Sequence, residues 1–210
     1  ITAVDYWGNY KTVIRKFIVD TNPPTATILE PVDDSYHSNS TILVRWSSED
    51  DRKVDHVDIY VDDSLVDTSY DSQGSICVDI DDGNHTISVK TYDLAGNLGQ
   101  DSVVVHVDTT PPVVTITSPE NNSYNNTTNL VVRWNTSDNF WIEKFKIYVD
   151  ETEYVELDGS YREYELSLSD GSHKITIVAY DVVNNMGSDS VVVNIDTCLL
   201  YTSPSPRDRG

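Results

Sequence analysis

The sequence is poor in cationic residues and has no long apolar stretch. Only 14 Lys and Arg residues stand against 35 Asp and Glu, for a formal net charge of −21. Such a charge opposes binding to phosphate backbones and anionic membrane surfaces, and it favours cations. No stretch approaches the roughly 18 consecutive apolar residues of a membrane span. We therefore expect no nucleic-acid partner and no membrane contact within these residues.

Sulfur, helical periodicity and catalytic motifs are also scarce. Cys77 and Cys198 are the only cysteines. Cys77 falls on the outward side of its predicted strand, which excludes a disulfide across a domain and leaves apolar packing to hold the fold. No window shows apolar residues at helical spacing. There is no G-x-S-x-G elbow and no Gly-rich phosphate loop, so we expect no catalytic residue and regard an enzyme as the least favoured function class.

The sequence does contain a long internal repeat. The segment Val107-Asp-Thr-Thr-Pro-Pro-Val113 has an earlier copy at Val19-Asp-Thr-Asn-Pro-Pro24 and begins again at Ile195. The offset of 88 residues between the first two copies also relates Trp46 to Trp134, Tyr60 to Tyr148, His85 to His173, and Asp5 to Asp93 to Asp181. A constant offset of this length predicts a tandem array of small domains.

The period sets the expected domain boundaries. Residues 1–20 match 89–108 and are interpreted as the C-terminal hairpin of a truncated preceding repeat, with little packing of its own. Residues 21–108 and 109–197 are expected to form two complete repeats. Residues 198–210 break the pattern, because Cys198-Leu199-Leu200 stands where the period requires a residue followed by Pro-Pro. We expect them to be a non-native or disordered tail.

Each complete repeat reads as short strands with period-two alternation, separated by turn residues every eight to twelve positions, which predicts a seven-stranded β-sandwich. In the first repeat we place strands at 25–29, 41–46, 57–61, 76–80, 85–92 and 102–107, a weak strand after the Asp62-Asp63 turn, and a loop over 30–40. Alternation in the second of these strands directs Ile42, Val44 and Trp46 inward.

The order of motifs resembles the immunoglobulin-like or fibronectin type III-like repeats of bacterial and archaeal cell-surface proteins. It consists of the Asp-Thr-Thr-Pro-Pro linker, a Trp on the second strand, Tyr-Val-Asp, Asp-Gly-x-His-x-Ile-x-Val and Asp-x-Ala-Gly-Asn, and it covers residues 1–197. The resemblance implies an all-β chain of tandem sandwiches exported from the cell. Residues 198–208 instead resemble a translated sequencing adapter, the alternative being a genuine Ser/Pro linker.

Two function hypotheses follow from this resemblance. The favoured one is a non-catalytic extracellular spacer or stalk whose partners are neighbouring repeats of the same chain and whose diproline linkers restrict swinging. The alternative is an adhesin-like or carbohydrate-binding accessory module of a secreted protein or hydrolase, with a glycan or cell-surface ligand. A screen for ligands separates the two, because a spacer has no specific binder.

Calcium is the cofactor that the acidic loops suggest, because hard oxygen ligands on flexible loops suit this ion. In sandwiches of the resembling kind, the linker enters at the end that carries the B–C and F–G loops. This topology brings Asp20 near Asp50, Asp51, Asp93 and Asn97, and Asp108 near Asp138, Asp181 and Asn185. One ion at each junction would stiffen the array, and added calcium is then expected to raise the melting temperature. Asp93→Ala is expected to remove this rise in the first repeat and to leave its fold intact.

Turn chemistry is the competing interpretation of the same residues. An Asp at the start of a turn accepts a hydrogen bond from the backbone two residues later, and Gly96-Asn97 tolerate positive φ. The second repeat has Val183-Asn184-Asn185 in place of Ala-Gly-Asn, a change that a turn tolerates more easily than a fixed ion cage does. The two interpretations are compatible.

The remaining candidate residues are aromatic, histidine and asparagine side chains. Trp7, Phe140 and Trp141 are loop aromatics at the same end, where they either stack on a sugar or partner or cover the junction between repeats. His85 and His173 are expected to be structural, like the Tyr whose tip bonds the backbone in related sandwiches. Sequons of the form N-x-[ST] predict glycosylation of an exported chain at Asn39, Asn84, Asn121, Asn125, Asn126 and Asn135.

Overall fold

A computed structural model describes residues 2–14 and 19–198 of the chain. These residues form 18 β-strands. Helices are absent from the described ranges, and with them any helix long and apolar enough to cross a membrane. Most of the adapter-like segment predicted at 198–208, and residues 15–18 of the expected first fragment, lie outside the described residues.

The first two strands form a short hairpin. β1 (Thr2–Val4) pairs antiparallel with β2 (Tyr10–Thr12), and every residue of both strands is exposed. A two-stranded hairpin of this size buries too little apolar surface to be stable alone.

The next eight strands build the first sandwich from a three-stranded and a five-stranded sheet. They are β3 (Thr25–Glu30), β4 (Ser35–His37), β5 (Thr41–Glu49), β6 (Val54–Val61), β7 (Ser64–Ser69), β8 (Gln73–Asp79), β9 (Gly83–Asp93) and β10 (Leu98–Val107). The strand orders are β3-β5-β8 and β4-β10-β9-β6-β7.

The last eight strands repeat this arrangement. They are β11 (Val113–Ser118), β12 (Ser123–Asn125), β13 (Asn129–Ser137), β14 (Ile142–Val149), β15 (Thr152–Asp158), β16 (Glu163–Ser167), β17 (Gly171–Asp181) and β18 (Met186–Ile195). Their sheets have the orders β11-β13-β16 and β12-β18-β17-β14-β15. The described chain divides into two compact units, and the second of them also takes in residues 34–42 and 79–84.

The prediction of an uninterrupted loop over 30–40 is wrong. β4 lies inside that segment, and its counterpart β12 pairs in parallel with β18. The first strand of each repeat stops at a proline, Pro31 or Pro119, because proline has no N–H to continue the ladder. The chain then joins the other sheet for three residues, so each repeat has eight strand segments rather than seven.

The predicted inward faces and fold class are confirmed. Ile42, Val44 and Trp46 are buried in the first repeat. In the second, Trp134 and Phe145 meet edge to face at 5.3 Å within a core built from residues 114–195, to which Trp46 does not belong. Each such side chain contributes roughly 1.5–3 kcal/mol of burial free energy. Cys77 is exposed with a free thiol, consistent with a core held by apolar packing.

Candidate functional site

The Asp that recurs at every period closes the turn between the last two strands. Asp93 Oδ1 accepts hydrogen bonds from the backbone N–H of Ala95 and of Asn97, both at 2.8 Å, and Asn97 Nδ2 donates to Oδ2 at 2.7 Å. Asp181 accepts the equivalent bonds from Val183 and Asn185. The hairpin turn at Asp5 has the same pattern, so the predicted turn chemistry is present.

The sequence change in the second repeat leaves this turn intact. Gly96 has φ +87°, and Asn184 takes its place with φ +68°. Asn is among the few residues that adopt this left-handed region at low cost.

The Asn that ends each turn fixes the incoming linker. Asn97 Nδ2 lies 3.3 Å from the carbonyl oxygens of Asp20 and Asn22. Asn185 Nδ2 donates to the carbonyl of Asp108 at 2.9 Å. The turn and the linker therefore form one hydrogen-bonded unit at both positions.

Two clusters of three carboxylates lie at these junctions. One carboxylate oxygen from each of Asp20, Asp50 and Asp93 lies within 4.8 Å of the others, and the same holds for Asp108, Asp138 and Asp181. Asp51 points elsewhere and accepts a hydrogen bond from Asn22 Nδ2 at 2.9 Å. Of the nine predicted ligands, the structure therefore gathers six carboxylates into two groups and uses Asn97 and Asn185 as donors.

Burial makes the second cluster electrostatically costly. Asp108 and Asp181 are 1% and 0% exposed. Burial, followed by the charges of Asp108 and Asp181, raises the pKa of Asp138 to about 6. The backbone N–H groups of Asn139 and Phe140 partly oppose this rise. They do not reach hydrogen-bond geometry with either carboxylate oxygen of Asp138, and both oxygens are inaccessible to solvent. Burial likewise raises the pKa of Asp108.

The first cluster is compensated by a cation from its own loop. Arg52 Nε lies 3.1 Å from Asp20 Oδ2. Asp50 Oδ1 accepts the backbone N–H groups of Arg52 and Lys53, both at 2.8 Å. Burial tends to raise the pKa of Asp93, but the hydrogen bonds from Asn97 and Ala95 outweigh it and lower that pKa.

Two further linker contacts were not predicted. Asp82 accepts hydrogen bonds from the Thr109 backbone N–H and from the hydroxyls of Thr109 and Thr110. Asp170 accepts the equivalent bonds from the backbone N–H and hydroxyl of Thr197.

The second proline of each Pro-Pro linker, Pro24 or Pro112, is buried. A β-carbon added to Gly99 would overlap the carbonyl oxygen of Pro24, and one added to Gly187 would overlap that of Pro112. The sequence signal for these contacts is that the Asp, Pro and Gly residues each recur 88 residues later.

The aromatic residues fall into two groups. Trp7 is 84% exposed and meets the ring of the neighbouring Tyr6 edge to face. Phe140 and Trp141 lie edge-on to Tyr36, which stacks on His106 at 4.3 Å. These four rings line an open cleft of about 690 Å³ within the second compact unit.

The two recurring histidines bind an Asp of the preceding strand pair. His85 Nδ1 lies 2.6 Å from Asp62 Oδ2, and His173 Nδ1 lies 2.7 Å from Asp150 Oδ2. His173 Nε2 also lies 3.0 Å from the carbonyl oxygen of Ser169. Both neighbours of His173 are acceptors, so both ring nitrogens donate and the imidazolium is the satisfied form.

His173→Gln is expected to destabilise the second repeat more in mild acid than in alkali. The hydrogen bond that His173 donates to Asp150 raises the pKa of His173 and lowers that of Asp150. The pair therefore stabilises fully above the unfolded Asp pKa of about 4 and below the unfolded His pKa of about 6.5, and this contribution is lost as pH rises through the folded His pKa. Because the Asp150 side chain is half exposed, we expect the variant to lose roughly 0.5–1 kcal/mol of unfolding free energy at pH 5.5 and less at pH 8.5. Urea unfolding at the two pH values measures this loss. An equal loss at both pH values would contradict it.

The sequons differ in accessibility. Asn39, Asn84, Asn121, Asn126 and Asn135 are exposed. Asn125 is half-buried, and its Nδ2, the atom that would carry a glycan, is inaccessible. Asn135 lies within β13 rather than in a loop.

Known proteins with similar sequence or structure carry Ig-like or fibronectin III-like domains. A family model described as a bacterial Ig domain matches residues 24–89 and 112–177. No curated protein sequence matches. A three-Ig-domain segment of titin is similar at TM-score 0.58 and 15% identity, covering 84% of this chain and 66% of that one. Sidekick-1 Ig domains 1–4 follow at 0.53 and 11%, covering 93% and 57%. Clostridium thermocellum CbhA fibronectin(III)-like modules give 0.48 and 21%, covering 86% and 100%.

Proposed function

The chain belongs to the family of bacterial Ig domains, and we propose that its tandem repeats are non-catalytic spacers of an extracellular protein. The observation that carries this proposal is the fixed linker. At both positions the linker is hydrogen-bonded to the turn that closes the sandwich after it, through Asn97 or Asn185. A spacer needs such fixation, because a free linker lets successive domains swing.

The chemistry of the polar residues supports a structural role. Asp93, Asp181, Asp82 and His173 all use their polar atoms on backbone groups or on neighbouring polar side chains. A catalytic acid or base needs a free position facing a substrate. Calcium bound at a junction would add to the fixation.

Asn185→Ala is expected to release the linker without unfolding the repeat. The variant loses the bond to the Asp108 carbonyl and one bond to Asp181, while Asp181 keeps its two backbone donors. We expect amide hydrogen exchange at 108–110 to accelerate at least about tenfold, with exchange in β13 and β17 unchanged. Asn126→Ala, at an exposed position, is the matched control. Unchanged linker exchange in Asn185→Ala would argue against the proposal.

The cleft lined by Tyr36, His106, Phe140 and Trp141 favours a second candidate, a carbohydrate-binding module. Trp141 is 48% exposed, and a partly exposed indole in a cleft suits stacking on a sugar. Isothermal titration calorimetry with a panel of soluble glycans tests it. Saturable binding that Trp141→Ala abolishes would favour the binding module over the spacer role.

A further inference from the structure

The two carboxylate clusters differ in what neutralises them. Arg52 Nε contacts Asp20 in the first cluster. At the offset of 88 residues its counterpart is Phe140, which carries no charge. Within the described residues, the second cluster has no Lys, Arg or His nitrogen within ion-pair distance of Asp108, Asp138 or Asp181.

The second cluster also contains carboxylate oxygens with no partner. Asp108 Oδ2 and both oxygens of Asp138 are inaccessible to solvent and have no partner in hydrogen-bond geometry. The whole Asp108 side chain is buried, because the residue is only 1% exposed. In the first cluster the corresponding Asp50 also has one inaccessible, unpaired oxygen, Oδ2, but its Oδ1 accepts two backbone N–H groups. A buried, unpaired carboxylate is costly, and buried charges are normally paired or coordinate a metal.

The donor set selects the class of ion. The cluster offers only carboxylate oxygens, whereas zinc favours His and Cys. Oxygens within 4.8 Å of one another fit around one ion with ligand distances of about 2.4 Å, which is the range for calcium. Magnesium demands shorter distances and near-ideal octahedral geometry.

We propose that Asp108, Asp138 and Asp181 bind one calcium ion, and that the equivalent first cluster does not, because the Arg52 guanidinium supplies its positive charge. This inference deepens the proposed spacer function by naming what stiffens one linker. Its failure would leave that proposal intact, because the linker bond made by Asn185 is tested separately.

Calcium titration of the whole chain, freed of divalent ions with EDTA, tests the inference by isothermal calorimetry. We expect one site per chain, with Kd on the order of 0.1–1 mM as in extracellular modules, and binding of magnesium at least about tenfold weaker. Asp138→Asn, a near-isosteric change, should weaken calcium binding at least tenfold. Zero sites, or undiminished binding by Asp138→Asn, would overturn the proposal.

Exchanging the two positions tests the role of the guanidinium. Phe140→Arg should abolish the site, Phe140→Leu should retain it, and Arg52→Phe should raise the stoichiometry from one to two. Circular dichroism confirms that each variant is folded. Two sites in the unmodified chain, or one site in a folded Arg52→Phe variant, would show that charge compensation does not decide which cluster binds.

Discussion

Gly187→Ala is expected to destabilise the second repeat by roughly 3 kcal/mol or more. An added β-carbon would overlap the carbonyl oxygen of the buried Pro112. Neither partner can move easily, since both are backbone segments, one in β18 and one immediately before β11. Scanning calorimetry should show the transition of the second repeat shifted down and that of the first unchanged.

The repeat supplies its own controls for this variant. Gly99→Ala meets Pro24 in the same way and should shift the first transition instead. Ser188→Ala, at the exposed position next to Gly187, should change stability by less than about 0.5 kcal/mol. A loss below 1 kcal/mol for Gly187→Ala would mean that the linker moves away from β18 at little cost.

The sequence predicted the fold where burial alternates. Trp46 and Trp134 lie on strands with clear period-two patterns, and both are buried. β4 escaped prediction because three residues are too few to show a period, and its neighbours Pro31 and Asp34 read as turn residues. Gly99 and Gly187 fall before the predicted last strand, which the structure extends to begin at Leu98 and Met186. A glycine inside a strand indicates close backbone approach, but the sequence pattern does not say what approaches.

The acidic residues illustrate a limit of reasoning from residue type. Asp101 and Asp189 look like surface charges, yet each accepts a backbone N–H from the first strand of its repeat, Ile28 at 2.8 Å or Ile116 at 2.7 Å. A carboxylate serves equally as solvent-exposed charge, turn acceptor or metal ligand. Which role it takes depends on the groups that the fold brings near it.

The candidate site was predictable in its membership but not in its chemistry. Topology alone placed Asp108 beside Asp138 and Asp181, as the structure has them. It did not show that Arg52 turns back onto Asp20, because a long side chain has many rotamers and the tertiary surroundings choose among them. This one contact makes two clusters with equivalent aspartates electrostatically different.

Asp93→Ala is, in the light of the turn geometry, a poor test of calcium binding. The sequence led us to expect that this change would spare the fold. Asp93 is 2% exposed and accepts three hydrogen bonds that close its turn. Removing it would disturb the fold as well as any ion. Asp138, which has only weak contacts with the backbone of Asn139 and Phe140, is therefore the informative position.

Asp181→Ala and Asp138→Asn are accordingly expected to have opposite effects in EDTA. Asp181 is fully buried and accepts three hydrogen bonds, so its removal strands those donors and should cost roughly 3 kcal/mol. Asp138→Asn removes one of three crowded negative charges and should leave the repeat equally or more stable. Urea unfolding of both variants in EDTA measures the difference. Equal destabilisation would mean that Asp138 holds the junction together in a way that the hydrogen bonds do not show, and it would remove the reason to look for a cation there.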